Sequence, residues 1–204
     1  MLTKTLATLL ATSTLAAFAG GCDPQADDGY PGESLATIRG QVTNELPASP
    51  AAQVTILWTF DNGNGDEYAL DTVDVEGEFP AAFTLNLYGA PAIPDGWGAI
   101  GYFLAVDPAT FDPEQVDAAG GLLGMAEHHA IIYLAQPTSA IPEAERAEFE
   151  DYLGGPLDAG FTLFGVGPDG DDADSWDDIT RLPADASIEV RMAPIDDLQF
   201  PNIS

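Results

Sequence analysis

From Leu35 onward apolar and polar residues alternate with a period of two, and no other feature of the chain limits its fold so tightly. Successive side chains of a strand point to opposite faces, so such a stripe buries one face of a sheet. Ala36, Ile38, Gly40 and Val42 share one face. Val54, Ile56, Trp58 and Phe60 share another, with Gln53, Thr55 and Thr59 opposite. Ala81, Phe83, Leu85 and Leu87 make a third stripe, and Ile100, Tyr102, Leu104 and Val106 a fourth. Ala130 to Leu134, Phe161 to Phe164, and the set Ile188, Val190 and Met192 continue the pattern, while Tyr68 to Val75 is weaker. The stripes predict about eight strands.

Turn chemistry separates them. Asp61-Asn62-Gly63-Asn64-Gly65-Asp66 reads as a hairpin loop, and Glu76-Gly77-Glu78 as a tight connection. Short strands with Gly and Pro punctuation predict an all-β antiparallel sandwich, with residues 34–204 as one domain. One short peripheral helix is expected over Pro142 to Leu153. Proline suits the first turn, early glutamates complement the dipole, and Gly154-Gly155 suits the stop. Phe149, Tyr152 and Leu153 form its apolar stripe.

Charge narrows the function. The 204 residues hold 34 Asp and Glu against 5 Lys and Arg, a formal charge of −29. A nucleic-acid partner is excluded, because neutralising phosphates takes clustered basic residues. A single cysteine, Cys22, excludes an intrachain disulfide. A 46% hydrophobic content excludes disorder throughout. So acidic a surface repels itself in dilute buffer and is screened in salt, which fits a saline or secreted setting.

Residues 1–21 read as an export signal. Lys4 gives a short positive end, and Leu6 to Ala19 is apolar but short of the roughly 20 residues that span a bilayer. Gly20, Gly21 and then Cys22 follow. An apolar run, small residues and then cysteine resembles the lipobox of bacterial lipoproteins. That resemblance implies a diacylglyceryl group on Cys22, cleavage just before it, and a membrane partner through the N-terminal lipid. It places the body in the cell envelope outside the cytoplasm, with inner or outer membrane left open. In some bacteria an Asp in the place of Asp23 favours inner-membrane retention. The sequence departs from the family at Ala19, where leucine is usual. Cleavage after Ala17-Phe18-Ala19, leaving a free thiol, is the alternative. Residues 22–33 then form the lipidated cysteine and a flexible acidic tether, rich in Pro, Gly and acids.

The segment from Ile38 to Leu87 resembles the transthyretin-like and carboxypeptidase-regulatory-like sandwiches of secreted proteins. Gly40-Gln41-Val42, Ala52-Gln53-Val54-Thr55-Ile56 and Gly77-Glu78-Phe79 carry that likeness. The stretch from Gly77 to Leu85 is similar to uncharacterised bacterial lipoproteins with acidic ectodomains. Neither resemblance implies a catalytic residue.

Motifs for chemistry are sparse. Glu127-His128-His129 is the histidine cluster, but neighbours on a strand face opposite ways, and Glu127 with His129 makes two ligands where zinc wants at least three. Gly-x-Ser-x-Gly is absent, and Gly120-Gly121-Leu122-Leu123-Gly124 lacks the lysine of a phosphate loop. The acidic stretch from Asp169 to Asp178 offers Asp169, Asp171, Asp172 and Asp174 as calcium ligands, although Ala173 breaks the EF-hand ladder. Solvated surface is the plainer reading of that stretch. No other cofactor is expected. Trp97 and Trp176 fall in predicted loops, where an aromatic ring stacks on sugars or covers a sheet end. The expectation is a non-catalytic, envelope-anchored binding or structural module with a protein or glycan partner. Calcium-dependent adhesion, and a hydrolase using His129 or an acid pair, are the alternatives.

Overall fold

The computed structural model describes residues 32–48, 50–61, 66–75, 77–91, 97–112, 120–167 and 179–198. The period-two stripes become strands β1 (Ala36–Asn44), β2 (Ala52–Asp61), β3 (Asp66–Val75), β4 (Ala81–Leu87), β5 (Gly98–Val106), β6 (Leu122–Leu134), β7 (Gly160–Val166), β8 (Ile179–Arg181) and β9 (Ser187–Met192). The all-β expectation holds. β2 and β3 form the expected hairpin, with Asp61 opposite Asp66.

The nine strands belong to one sheet, in the order β3-β2-β5-β6-β9-β1-β4, with β7 added to β6 and β8 to β7. Its two ends, β3 and β4, approach each other, so the sheet is nearly closed into a barrel. Closure protects the backbone groups that an open edge would leave unpaired. Two details correct the expected eight-stranded antiparallel arrangement. β1 and β9 run parallel, with Gly40 opposite Ile188 and Val42 opposite Val190. β8 is a ninth strand, whose three residues are too few to show alternation.

The inward faces of the strands meet in one core, but on β5 that face is Ala99, Phe103 and Ala105 and not the expected stripe. Leu104 and Val106 cluster separately with Leu57 and Met125, because β5 is covered on both faces. Ile38, Val42, Val54, Ile56, Trp58, Phe83, Leu85, Phe103, Ile131, Leu163, Ile188 and Val190 are all buried in the inner core. Gly101 keeps that core shut: a Cβ there would stand 2.6 Å from Ile56, 2.7 Å from Ile131 and 2.8 Å from Trp58. Trp58 lies fully buried, and its Nε1–H donates to Asp71 Oδ2 at 2.8 Å. Buried indole groups need such a partner, because an unmade bond costs about 1–3 kcal/mol.

β6 is apolar on both faces over Ala130–Leu134. Ile131 joins the inner core, while Ile132 and Leu134 pack outside with Leu153, Leu157 and Phe164. Helix α1 (Glu143–Tyr152) covers that outer face through Phe149 and Leu153, at the expected place. Two polar devices fasten it. The buried Thr138 hydroxyl donates to Glu150 at 2.7 Å and accepts from the Leu157 N–H at 3.1 Å. Arg181 of β8 donates to the carbonyls of Leu153 and Gly155, placing positive charge at the negative end of the helix.

Candidate functional site

The most irregular part of the sheet is the middle of β6, and it contains Glu127, His128 and His129. Against β5 the register runs Tyr102 opposite Ala130 but Leu104 opposite Met125. Phe103 therefore stands against the whole of Ala126–His129, a wide bulge. The other edge of β6 changes partner at the same point. Gly124 and Met125 pair with Met192 and Arg191 of β9, whereas His129 onward pairs with β7. The sheet forks where β9 and β7 part. Bulges bend a strand and re-aim its side chains, and they gather at rims and functional sites. The strand stripe legible in the sequence began at Ala130; the structure extends it back to Leu122, so the histidines lie inside a long strand.

Gly124 permits the lower arm of the fork. A Cβ there would lie 2.1 Å from the Arg191 carbonyl oxygen and 2.5 Å from Met192 Cα. The close approach brings Arg191 beside the bulge. Its Nε and Nη2 donate to the two carboxylate oxygens of Glu127 at 3.0 and 2.7 Å. Its Nη1 donates to Glu45 at 3.0 Å, and Nη2 also reaches the Asp197 carbonyl at 2.7 Å. The Glu127 side chain is only 13% exposed, so this two-pronged pair is shielded from solvent more than an ordinary surface ion pair. The carboxylates of Glu127 and Glu45 favour the charged guanidinium and raise its pKa further. One arginine thus ties together β6, β9, the start of the β1–β2 connection and the turn at Ile195–Asp197. Its signal in the sequence was scarcity: four arginines among 34 acids have no shortage of partners.

His129 occupies the upper arm. Among the described residues its Nδ1 is the buried side-chain polar atom without a hydrogen-bond partner. Burial lowers its pKa from 6.5, neighbouring His128 lowers it further, and Glu189 opposes both. Glu189 in turn accepts from Gln41 and Thr43, at 3.2 Å each. The folded state therefore favours neutral imidazole, while the unfolded chain binds the proton more readily. Stability is retained above the ordinary value of 6.5 and declines as the pH falls below it. We expect the melting temperature to fall from about pH 7.5 to about pH 5.5, and to fall less steeply in His129→Gln, as a pH series of melts would show.

Glu127 is bound to Arg191, and no group of three or more His, Cys, Asp or Glu able to hold a metal occurs among the described residues. The calcium candidates Asp169, Asp171, Asp172 and Asp174 lie outside the described residues, as do Cys22 and Trp176. Val166 and Ile179, which bracket that acidic stretch, pair with each other at the ends of β7 and β8. Trp97 is described and is exposed immediately before β5. No helix among the described residues is long and apolar enough to cross a membrane. No protein-family model, curated protein or solved structure matches the chain.

Proposed function

We propose that the protein is a non-catalytic binding or structural module, held in the cell envelope by lipid on Cys22. The observation that carries the non-catalytic half is the state of the bulge. Its charged groups are engaged with one another, Arg191 holding Glu127, Glu45 and the Asp197 carbonyl at once. A catalytic carboxylate needs to face substrate with its proton affinity tuned to the reaction. Glu127 is instead the acceptor of a two-pronged bond that fixes sheet geometry. The anchoring half is supported by the signal-like residues 1–21 leading to the lone Cys22, and by the acidic, Pro- and Gly-rich residues that follow.

The test is fractionation with metabolic labelling. The natural protein should take up labelled palmitate and sediment with membranes. Cys22→Ser should lose the label and at least tenfold of the membrane-bound fraction. Equal sedimentation of the two forms without label would sink the anchor. Steady turnover of ester or glycoside substrates, reduced by His129→Gln, would sink the non-catalytic reading.

A further inference from the structure

We propose that the β7–β8 arm lifts from β6 in acid, starting from its end at His129, while β9 on the other side of the fork stays in place.

The arm hangs on one ladder. β7 pairs with β6 over His129–Leu134, its other edge pairs with β8, and β8 pairs with β7 alone. The two ends of that ladder are held unequally. At the Gly160 end the Phe161 ring lies 4.9 Å from the Tyr133 ring and 5.9 Å from the Trp58 ring. Thr138 and Leu157 fasten the connection that leads into this end. At the fork end His129 is registered opposite Gly165, which has no side chain, and Val166 beyond it is half-buried. Phe164 is what holds this end, packed outside the sheet with Ile132, Leu134, Leu153 and Leu157. Lifting draws it out, so the acid form shows an apolar face that the neutral form hides.

The other side of the fork is held differently. β9 pairs with β1 along its whole length, Ser187–Met192 against Arg39–Asn44. Its contact with β6 is fixed by Arg191, bound to Glu127, Glu45 and the Asp197 carbonyl. An arginine keeps its charge at every pH that a folded protein meets.

A proton on His129 therefore acts on the arm. The Nδ1 atom is buried and, among the described residues, has no hydrogen-bond partner. Neutral imidazole can leave that nitrogen as a bare acceptor. Imidazolium carries N–H on both nitrogens, so the proton creates a buried donor with nothing to accept from it. Lifting the arm gives that N–H to water. The surrounding groups do not supply the missing acceptor. Burial opposes the charge first, and His128 beside it on β6 repels it. Glu189 of β9 favours the charge, but its carboxylate accepts from Gln41 and Thr43 instead. Glu127 and Arg191 are joined to each other. β5 offers the neutral phenol of Tyr102, opposite Ala130, and β7 has no charged side chain. Arg181 of β8 donates to the carbonyls of Leu153 and Gly155. The closed arm thus prefers neutral imidazole. It is stable above the ordinary value of 6.5, and opening grows as the pH falls below it.

The experiment is amide hydrogen exchange on the full-length protein, corrected for the intrinsic effect of pH. About 0.5 M NaCl screens the acidic surface throughout. Between about pH 7.5 and about pH 5.5 histidine is the side chain that titrates, since ordinary carboxylates ionise lower. Protection over Phe164–Val166 should fall about three- to tenfold across that range, about tenfold being the ceiling for one histidine of ordinary value in the open state. Protection over Ile188–Met192 should change by less than about 1.5-fold, as should Phe164–Val166 in His129→Gln, whereas His128→Gln should keep the fall. The two histidine ring resonances of the natural protein, assigned with His128→Gln, give a reading that needs no change at His129. The His129 ring should titrate below 6.5. Equal loss of protection at β7 and β9 would mean that the whole fold opens, and overturns the arm. No loss at Phe164–Val166, a loss that survives in His129→Gln, or a His129 ring that titrates at or above 6.5 overturns the part given to His129.

Discussion

Gly124→Ala is expected to cost about 3 kcal/mol or more, the upper range for overpacking a filled site, and so to remove a large part of a typical margin of about 5–15 kcal/mol. The added methyl would stand 2.1 Å from the Arg191 carbonyl oxygen. That atom belongs to a backbone already fixed by the β9 ladder, so it cannot swing aside as the tip of a long side chain does. Relief means pulling β9 away from β6. That step also strains the Arg191–Glu127 bonds, because Arg191 is the residue displaced. Gly120→Ala is the matched control, since a Cβ at Gly120 meets nothing within 4 Å. Urea melts of the two variants should differ by most of the predicted loss. Equal midpoints would show that the β6–β9 contact is looser than described.

Trp58→Ala should be of similar size. Emptying a fully buried indole site costs about 3–5 kcal/mol, and in a domain of this size each kcal/mol lowers Tm by about 2–4 °C. A drop of about 10 °C or more is therefore expected. Two effects combine. The ring packs against the inner core and lies 5.9 Å from the Phe161 ring. Its Nε1–H also satisfies Asp71. Trp58→Phe separates them, since it keeps an aromatic ring and removes the donor. We expect it to recover more than half of the lost stability in thermal melts. A Tm for Trp58→Ala within a few degrees of the natural protein would overturn the central place given to this side chain.

The sequence made the strands legible because each half-buried strand writes its own local record. Ala81 to Leu87 alternates without a break, and its exposure alternates in step. Ala130 to Leu134 showed a strand but hid its neighbours, because a segment covered on both faces loses its alternation. The parallel pairing of β1 with β9 left no local trace, since pairing between distant segments depends on the whole set of contacts. β8 was too short to show a period. The bulge of β6 was hidden for a related reason: alternation reports which face a residue takes, and the bulge is a matter of how many residues oppose Phe103. Glu127, His128 and His129 were visible as a group, but their partner Arg191 lies 64 positions from Glu127. The candidate site was thus half legible: its members on one strand could be read, and the residue binding them could not.

The pairing of β1 with β9 also sets an order of events. Gly40 meets Ile188, so the first strand waits for the last before both its edges are filled. Contacts so far apart in sequence are slow to form, because a long loop must close before any reward arrives. While Ser187 to Met192 is still unavailable, β1 can gain β4 but retains one open edge. A chain emerging N-terminus first would therefore remain incompletely folded until nearly all of it had passed, and the final strand acts as a latch that closes the body only once it is whole.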